Sequence, residues 1–174
     1  MPSIRTTTAI LRLRAVSARL RTLGSRFATT RLMRRVEDHV NRQKAMQFIM
    51  EKRFTRQSTR SVGGRHWAPL KPSTIRQRRR MGYGPGPILQ RTVALKESAK
   101  AAVANTYRLN HAAIAWSLAK VRVAYGAYHQ RGAGRLPARP FIYQPDGPEL
   151  ALADRMAATE MRRLLRIATR RRRP

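Results

Sequence analysis

The chain has 174 residues, with ten Gly, ten Pro and no Cys, and its 38 Lys and Arg against 8 Asp and Glu give a formal charge of +30. The missing Cys excludes disulfides, thiolate metal sites and a Cys nucleophile, and no stretch approaches the ~20 apolar residues of a membrane span. At this length a single domain over 1–174 is the default; it can bury roughly 70% of its unfolded surface, and the 42% hydrophobic content argues against wholesale disorder.

Ile10, Leu13, Val16, Leu20, Leu23 and Phe27 recur at steps of three and four, with Arg12, Arg14, Arg19 and Arg21 mostly off that face. This spacing predicts a basic amphipathic helix within residues 1–30, stopping near Gly24. The acid-free, Arg- and Thr-rich N-terminus also has the composition of a mitochondrial transit peptide, and the helix has the moment of a membrane-surface helix. Packing against a following helix accounts for the same apolar face and is preferred. That second helix is expected from about Thr30 to Phe54, capped by Thr29 or Thr30, with Leu32, Val36, Val40, Phe48 and Ile49 as its stripe. Met46 and Met50 read as packing.

Residues 61–87 are dense in Gly and Pro and exclude long regular structure, apart from one short helix starting at Pro72-Ser73-Thr74-Ile75, where Ser or Thr can cap. Ile88 to Ala102 suits a further helix with Leu89, Val93 and Ala99 inward. Asn105–Leu109, Ala112–Leu118 and Val121–Tyr125 have the alternating or β-branched content of short hairpin strands. After a loop over 126–147, Leu150, Ala153, Ala157, Met161, Leu164 and Ala168 predict a C-terminal helix, followed by an Arg-rich tail at 170–174. The expected class is α+β: N-terminal helices, a small antiparallel sheet and a C-terminal helix packed as one domain.

The charge is not confined to a tail. Residues 1–36 carry nine bases and no acid, 37–90 twelve against three, 91–140 nine against one, and 141–174 eight against four. Only six of the bases are Lys, and Arg makes forked contacts to phosphate or carboxylate. The composition therefore favours a polyanionic partner: nucleic acid or an acidic protein surface, with anionic lipid less favoured. Two runs, Arg78-Arg79-Arg80 and Arg170-Arg171-Arg172-Arg173, are candidate phosphate or acidic-surface contacts, or else a solvated loop and terminus. Aromatic residues are only 6% and none interrupts these runs, which favours backbone or groove contact over base stacking.

No catalytic, metal or cofactor constellation is present. The eight acids form no deducible pair, His39, His66, His111 and His129 are well separated, and neither a nucleophile elbow nor a phosphate loop occurs. Gly82-Tyr83-Gly84-Pro85-Gly86 is a turn rather than a phosphate cradle. The expected function is not enzymatic.

Three strings remain. Trp67-Ala68-Pro69-Leu70-Lys71-Pro72-Ser73-Thr74-Ile75 precedes Ile88-Leu89-Gln90-Arg91-Thr92-Val93-Ala94-Leu95-Lys96-Glu97-Ser98, and Tyr125-Gly126-Ala127-Tyr128-His129-Gln130-Arg131-Gly132 precedes Leu136-Pro137-Ala138-Arg139-Pro140-Phe141. Their order resembles the phage virion morphogenesis family, the tail completion proteins of tailed bacteriophages, with its W-x-P-L-x-x-x-T, I-L-x-x-T-G-x-L, Y-A-x-x-H-Q-x-G and P-A-R-P-F patterns. Such proteins are also similar in having two helices before the Trp loop and one after P-A-R-P-F. Thr92-Val93 stands where the pattern has Thr-Gly, Gly126-Ala127 loosens the Tyr-Ala step, and the N-terminal helix is more basic than usual.

Physically, Trp67 can pin the Gly/Pro-rich loop onto the body, and Pro137 and Pro140 stiffen an extended segment. Arg139 can fork onto a carboxylate or backbone carbonyls, and Phe141 can anchor in a pocket. His129 and Gln130 are expected to satisfy buried backbone groups at a strand end rather than act on a substrate. The resemblance implies a structural protein of the neck or tail, located in the virion and assembled in the host cytoplasm. It would form a ring of six copies that closes the tail tube and joins it to the head. Trp67, Pro69, Leu70, Tyr125, His129, Gln130, Pro137, Arg139, Pro140 and Phe141 are then candidate subunit or neighbour contacts. Tube and connector proteins and packaged DNA are the expected partners, with no membrane. Six chains at +30 each would carry +180, so an anionic neighbour is required. An Arg-rich ribosomal or mitochondrial ribosomal protein on rRNA explains the composition equally well but leaves the strings unexplained.

Overall fold

The structure is a computed structural model that describes the backbone of residues 26–170 and the side chains of residues 30–168. The basic helix expected over 10–27 falls almost wholly outside the described residues, as do Arg171, Arg172 and Arg173. Six α-helices are described: α1 (Arg26–Arg42), α2 (Ala45–Arg56), α3 (Pro72–Arg80), α4 (Ala94–Val103), α5 (Gly126–Arg131) and α6 (Gly147–Arg170). Single turns of 3₁₀ helix lie at His111–Ala113 and Leu118–Lys120. The chain gathers into two compact units, each built from discontinuous segments.

The first unit comprises the chain up to Ala45, Asn105–Ile114 and the chain from Asp146 onward. α1 packs on α6. Val36 and Val40, one turn apart, are fully buried, and Leu150, Ala153, Ala157 and Met161 are buried at the steps read from the sequence. The alanines put little bulk between the two helices. Leu164 is half-buried and Ala168 exposed, so the stripe fades toward the C-terminus. Asp146 starts α6, its carboxylate accepting from the Glu149 N–H at 3.2 Å.

Glu160 is buried on α6, accepts two 2.7 Å bonds from Arg163 and lies 3.9 Å from His39 of α1. The Arg163 hydrogen bonds hold its carboxyl below the ordinary Glu range against the opposing effect of burial, and the charges of Arg163, His39 and Arg42 act in the same direction. A carboxyl lowered on folding stabilises fully above the unfolded Glu value near ~4.3, and that contribution is lost as the pH falls through the lower folded value. Wild type is therefore expected to melt above Glu160→Gln at neutral pH. The gap between their melting midpoints should close as the pH falls toward and below that value.

The second unit comprises Met46–Ala104 and Ala115–Pro145. Met46, Ile49, Met50, Arg53 and Phe54 make the buried face of α2. The single helix expected over Thr30–Phe54 is thus two helices. The break is at Gln43-Lys44, where Lys44 takes a left-handed φ of 57°, and Thr29 and Thr30 lie inside α1 rather than capping it. Phe48 lies off the face of α2 that Met46, Ile49, Met50 and Arg53 bury, so it is 45% exposed instead of buried, with the Lys52 ammonium 5.1 Å from its ring centre.

α3 begins at Pro72 as expected, but its N-cap is Lys71 and no side chain caps it. Pro at the first turn loses nothing, since that N–H would be unpaired anyway. The helix expected from Ile88 starts only at Ala94, after turns. Leu89 and Ala99 are buried as read, whereas Val93 is 49% exposed.

The antiparallel sheet is not formed, and the α+β class gives way to a mostly helical one. Among the described residues the only bridges are the isolated pairs Ser58 with His66 and Ala133 with Leu136. The alternation was real: Ile114 and Trp116 are buried while Ala115 between them is exposed. Several backbone groups of these segments are met by side-chain amides, a carboxylate and a hydroxyl, and others by local turns, instead of by neighbouring strands. Asn41 accepts from the Tyr107 N–H at 3.0 Å and donates to its carbonyl at 3.3 Å, and Glu37 accepts from the Leu109 N–H. In the second unit Gln144 brackets Trp116 in the same two-way fashion, and Ser98 accepts from the Arg122 N–H. Each segment is thereby tied to a helix or loop, and no ladder is needed.

The Tyr107 hydroxyl donates to Asp154 Oδ1 at 2.9 Å, and His111 Nε2 lies 2.9 Å from the same oxygen. Burial, and then the Asp154 charge, push the Tyr107 phenol well above its usual range. Tyr107 and Asp154 are buried and fasten the 105–114 segment to α6.

Candidate functional site

In the second unit the strings singled out from the sequence close on one another. Trp67 is 5% exposed; its indole N–H donates to the Pro140 carbonyl at 2.8 Å, and its ring meets Phe54 edge-on at 5.4 Å. Phe141 is fully buried, its ring centre 5.7 Å from that of Phe54. Arg139 is the fork expected of it, with Nε donating to the Ala68 carbonyl at 2.9 Å and Nη2 to the Pro69 carbonyl at 3.1 Å.

Gln130 accepts from the Phe141 and Ile142 N–H groups and donates to the Ile142 carbonyl, all within 3.0 Å. It does satisfy buried backbone, but from the short helix α5 rather than from a strand end. Gly126 opens α5 where a Cβ would come within 3.1 Å of Leu95 and 3.3 Å of Val121. Gly132 closes it at φ 80°, with the Leu136 carbonyl 3.1 Å from the position a Cβ would take.

Arg53 completes the lock and had no signal in the sequence. It is fully buried on α2, donates to the Phe141 carbonyl at 3.0 Å and the Tyr143 carbonyl at 2.9 Å, and lies 4.8 Å from the Trp116 ring centre. Of the candidate contact residues, Trp67, Arg139 and Phe141 therefore face inward. Leu70, His129, Gln130, Pro137 and Pro140 are half-buried, while Pro69 and Tyr125 are exposed.

Beside this lock lies a cleft of about 310 Å³ whose walls carry Lys71, Arg78, Arg91, Arg135 and Arg139 and no carboxylate. No family model, curated protein or solved structure matches the chain. The cleft is thus read from its own chemistry. Arg78 is buried and its Nη1 donates to the Pro87 carbonyl at 3.3 Å and the Pro85 carbonyl at 3.5 Å, holding the Gly/Pro turn. It is a wall of the cleft and not a free surface contact, whereas Arg79 and Arg80 are exposed on the last turn of α3.

Burial first, and then each other's charge, depress these groups: Arg78 is lowered with Arg91 contributing, and Arg139 with Arg78. His129 is lowered by burial and by Arg139, which keeps its imidazole neutral at pH 7. Its Nδ1 is buried and without a hydrogen-bond partner, and Tyr125 stands edge-on to its ring at 5.8 Å. Leu70, Leu89, Leu136 and Pro137 supply apolar wall.

Counting runs of charge missed this cleft because its five cations are spread over 69 residues of sequence, from Lys71 to Arg139. Among the described residues no group of three or more His, Asp or Glu is placed to hold a metal ion, and no helix is long and apolar enough to cross a membrane.

Proposed function

We propose that the chain is a structural component of the neck or tail of a tailed bacteriophage, a ring-forming protein that completes the tail tube where it joins the head. The observation that carries this reading is the closure of the family-like strings on one another. Trp67 reaches Pro140, and Arg139 reaches Ala68 and Pro69, across some seventy residues of chain. Strings that recur together for one architectural reason are expected to meet in this way.

The departure at Val93 lends further support. Where the pattern has Gly, this chain has Val, yet the backbone there is left-handed with φ 50°. A β-branched residue is disfavoured in that region and Gly is not. Val93→Gly is therefore expected to stabilise the chain by about 1 kcal/mol, because relief of the strain outweighs the added freedom of the unfolded chain. Chemical denaturation of the two proteins checks this, and a destabilised glycine variant would remove the argument. One helix, α6, follows Phe141, in the place that the resemblance gives it.

Native mass spectrometry of the full chain, alone and with short duplex DNA to neutralise its charge, tests the ring. A closed assembly of six is expected, and a monomer under every condition would overturn it.

A further inference from the structure

The second unit holds eighteen Lys and Arg but only two acids, Glu51 and Glu97. Both acids face lysines: Glu51 lies 4.0 Å from Lys96 and 3.6 Å from Lys100, and Glu97 lies 3.3 Å from Lys100. Nothing within the unit neutralises the cleft. Like charges held together in a partly desolvated cleft oppose folding unless an anion is supplied from outside.

We propose that the cleft binds a terminal, phosphate-bearing nucleotide of a nucleic-acid strand. Three features select this ligand. First, five cations around one cleft exceed what a single carboxylate can balance, whereas a terminal phosphate carries up to two charges and three acceptor oxygens for forked Arg contacts. Second, at about 310 Å³ the cleft lies at the small end of ligand pockets, which span ~300–1,000 Å³, so it takes one nucleotide and excludes a duplex. Third, Leu70, Leu89, Leu136 and Pro137 line the same cleft, as does Tyr125, whose exposed ring offers a surface on which a base can rest. Arg135 is exposed and its guanidinium has no partner of its own, and the ammonium of Lys71 makes only a 3.5 Å contact with the Arg135 carbonyl. These two are the free donors at the mouth. The inference stands on the cleft alone and does not depend on where the chain sits in a particle.

The chain's overall charge attracts any nucleic acid, so the test must separate the cleft from that background. Fluorescence anisotropy of the full chain at about 0.5 M salt suppresses the general attraction. Under these conditions a short single strand with a terminal phosphate is expected to bind about tenfold tighter than the same strand ending in a hydroxyl, the effect of roughly one charge-assisted hydrogen bond. Lys71→Ala/Arg135→Ala is expected to erase that preference. Arg155→Ala/Arg162→Ala, which removes the same charge from the exposed face of α6, is expected to keep it. Arg135→Glu, a single exposed change, should also erase it and guards against misfolding of the double variant. Equal binding of the two strands would overturn the proposal, as would equal losses in the cleft and α6 variants. Displacement of the phosphorylated strand by a Glu-rich peptide at similar concentration would also overturn it and make the cleft an acidic-peptide site.

Discussion

Arg53→Ala is expected to destabilise the second unit by about 3–5 kcal/mol, among the largest single losses available to it. The side chain is fully buried, and its removal leaves the Phe141 and Tyr143 carbonyls short of a donor while opening a void against the Trp116 ring. Arg53→Lys keeps the charge but not the planar group that reaches two carbonyls and stacks on an indole, so it should recover only part of the loss. Urea denaturation followed by tryptophan fluorescence reads this directly, since Trp116 reports on the site. A loss below 1 kcal/mol for the alanine variant would contradict the burial on which the argument rests.

Phe141→Ala is expected to cost a similar amount, about 3–5 kcal/mol, with Phe141→Leu much milder. Phe141 is wholly buried beside Phe54, and the segment it anchors is also held by Gln130, Arg53 and the Trp67–Pro140 bond. The two possible roles of this residue have opposite signatures. As a subunit contact it would leave the isolated chain's melting temperature unchanged and weaken assembly when truncated. As a core anchor it lowers the melting temperature of the isolated chain, and any effect on assembly is secondary. The geometry predicts the second pattern.

How far the sequence could be read depended on whether one residue's neighbours lay near it in the chain. The periodicity of Leu150, Ala153, Ala157 and Met161 is local and gave α6 and its buried face. Pro72 gave the start of α3, and the chemistry of Trp67 and Arg139 gave the pinning and the fork. The break at Lys44 coincides with the polar run Asn41-Arg42-Gln43-Lys44, which puts a five-residue step between the apolar Val40 and Ala45, a gap short enough for the stripes on either side to pass as one. The apparent strands at 105–125 were misread because alternation reports which side of an extended chain is buried and not what its backbone bonds to. Here Asn41, Glu37, Ser98 and Gln144 supply those bonds from distant positions. The cleft was invisible for the same reason: Lys71, Arg91 and Arg135 look like scattered charge until the Trp67–Pro140 and Arg139–Ala68 contacts bring their segments together.

The same contacts change the meaning of the +30 charge. Part of it is internal, because Arg53, Arg78 and Arg139 serve as buried donors to backbone carbonyls. Another part lines a concave site without a counter-charge. The remainder includes exposed side chains such as Arg76, Arg79 and Arg80 on α3.

Electron microscopy of the native particle, resolving the copy number and neighbours of this chain, tests the central proposal most directly. The account predicts a six-fold ring between the head connector and the tail tube, with the second unit's cleft facing nucleic acid. A single copy embedded in ribosomal RNA would contradict it.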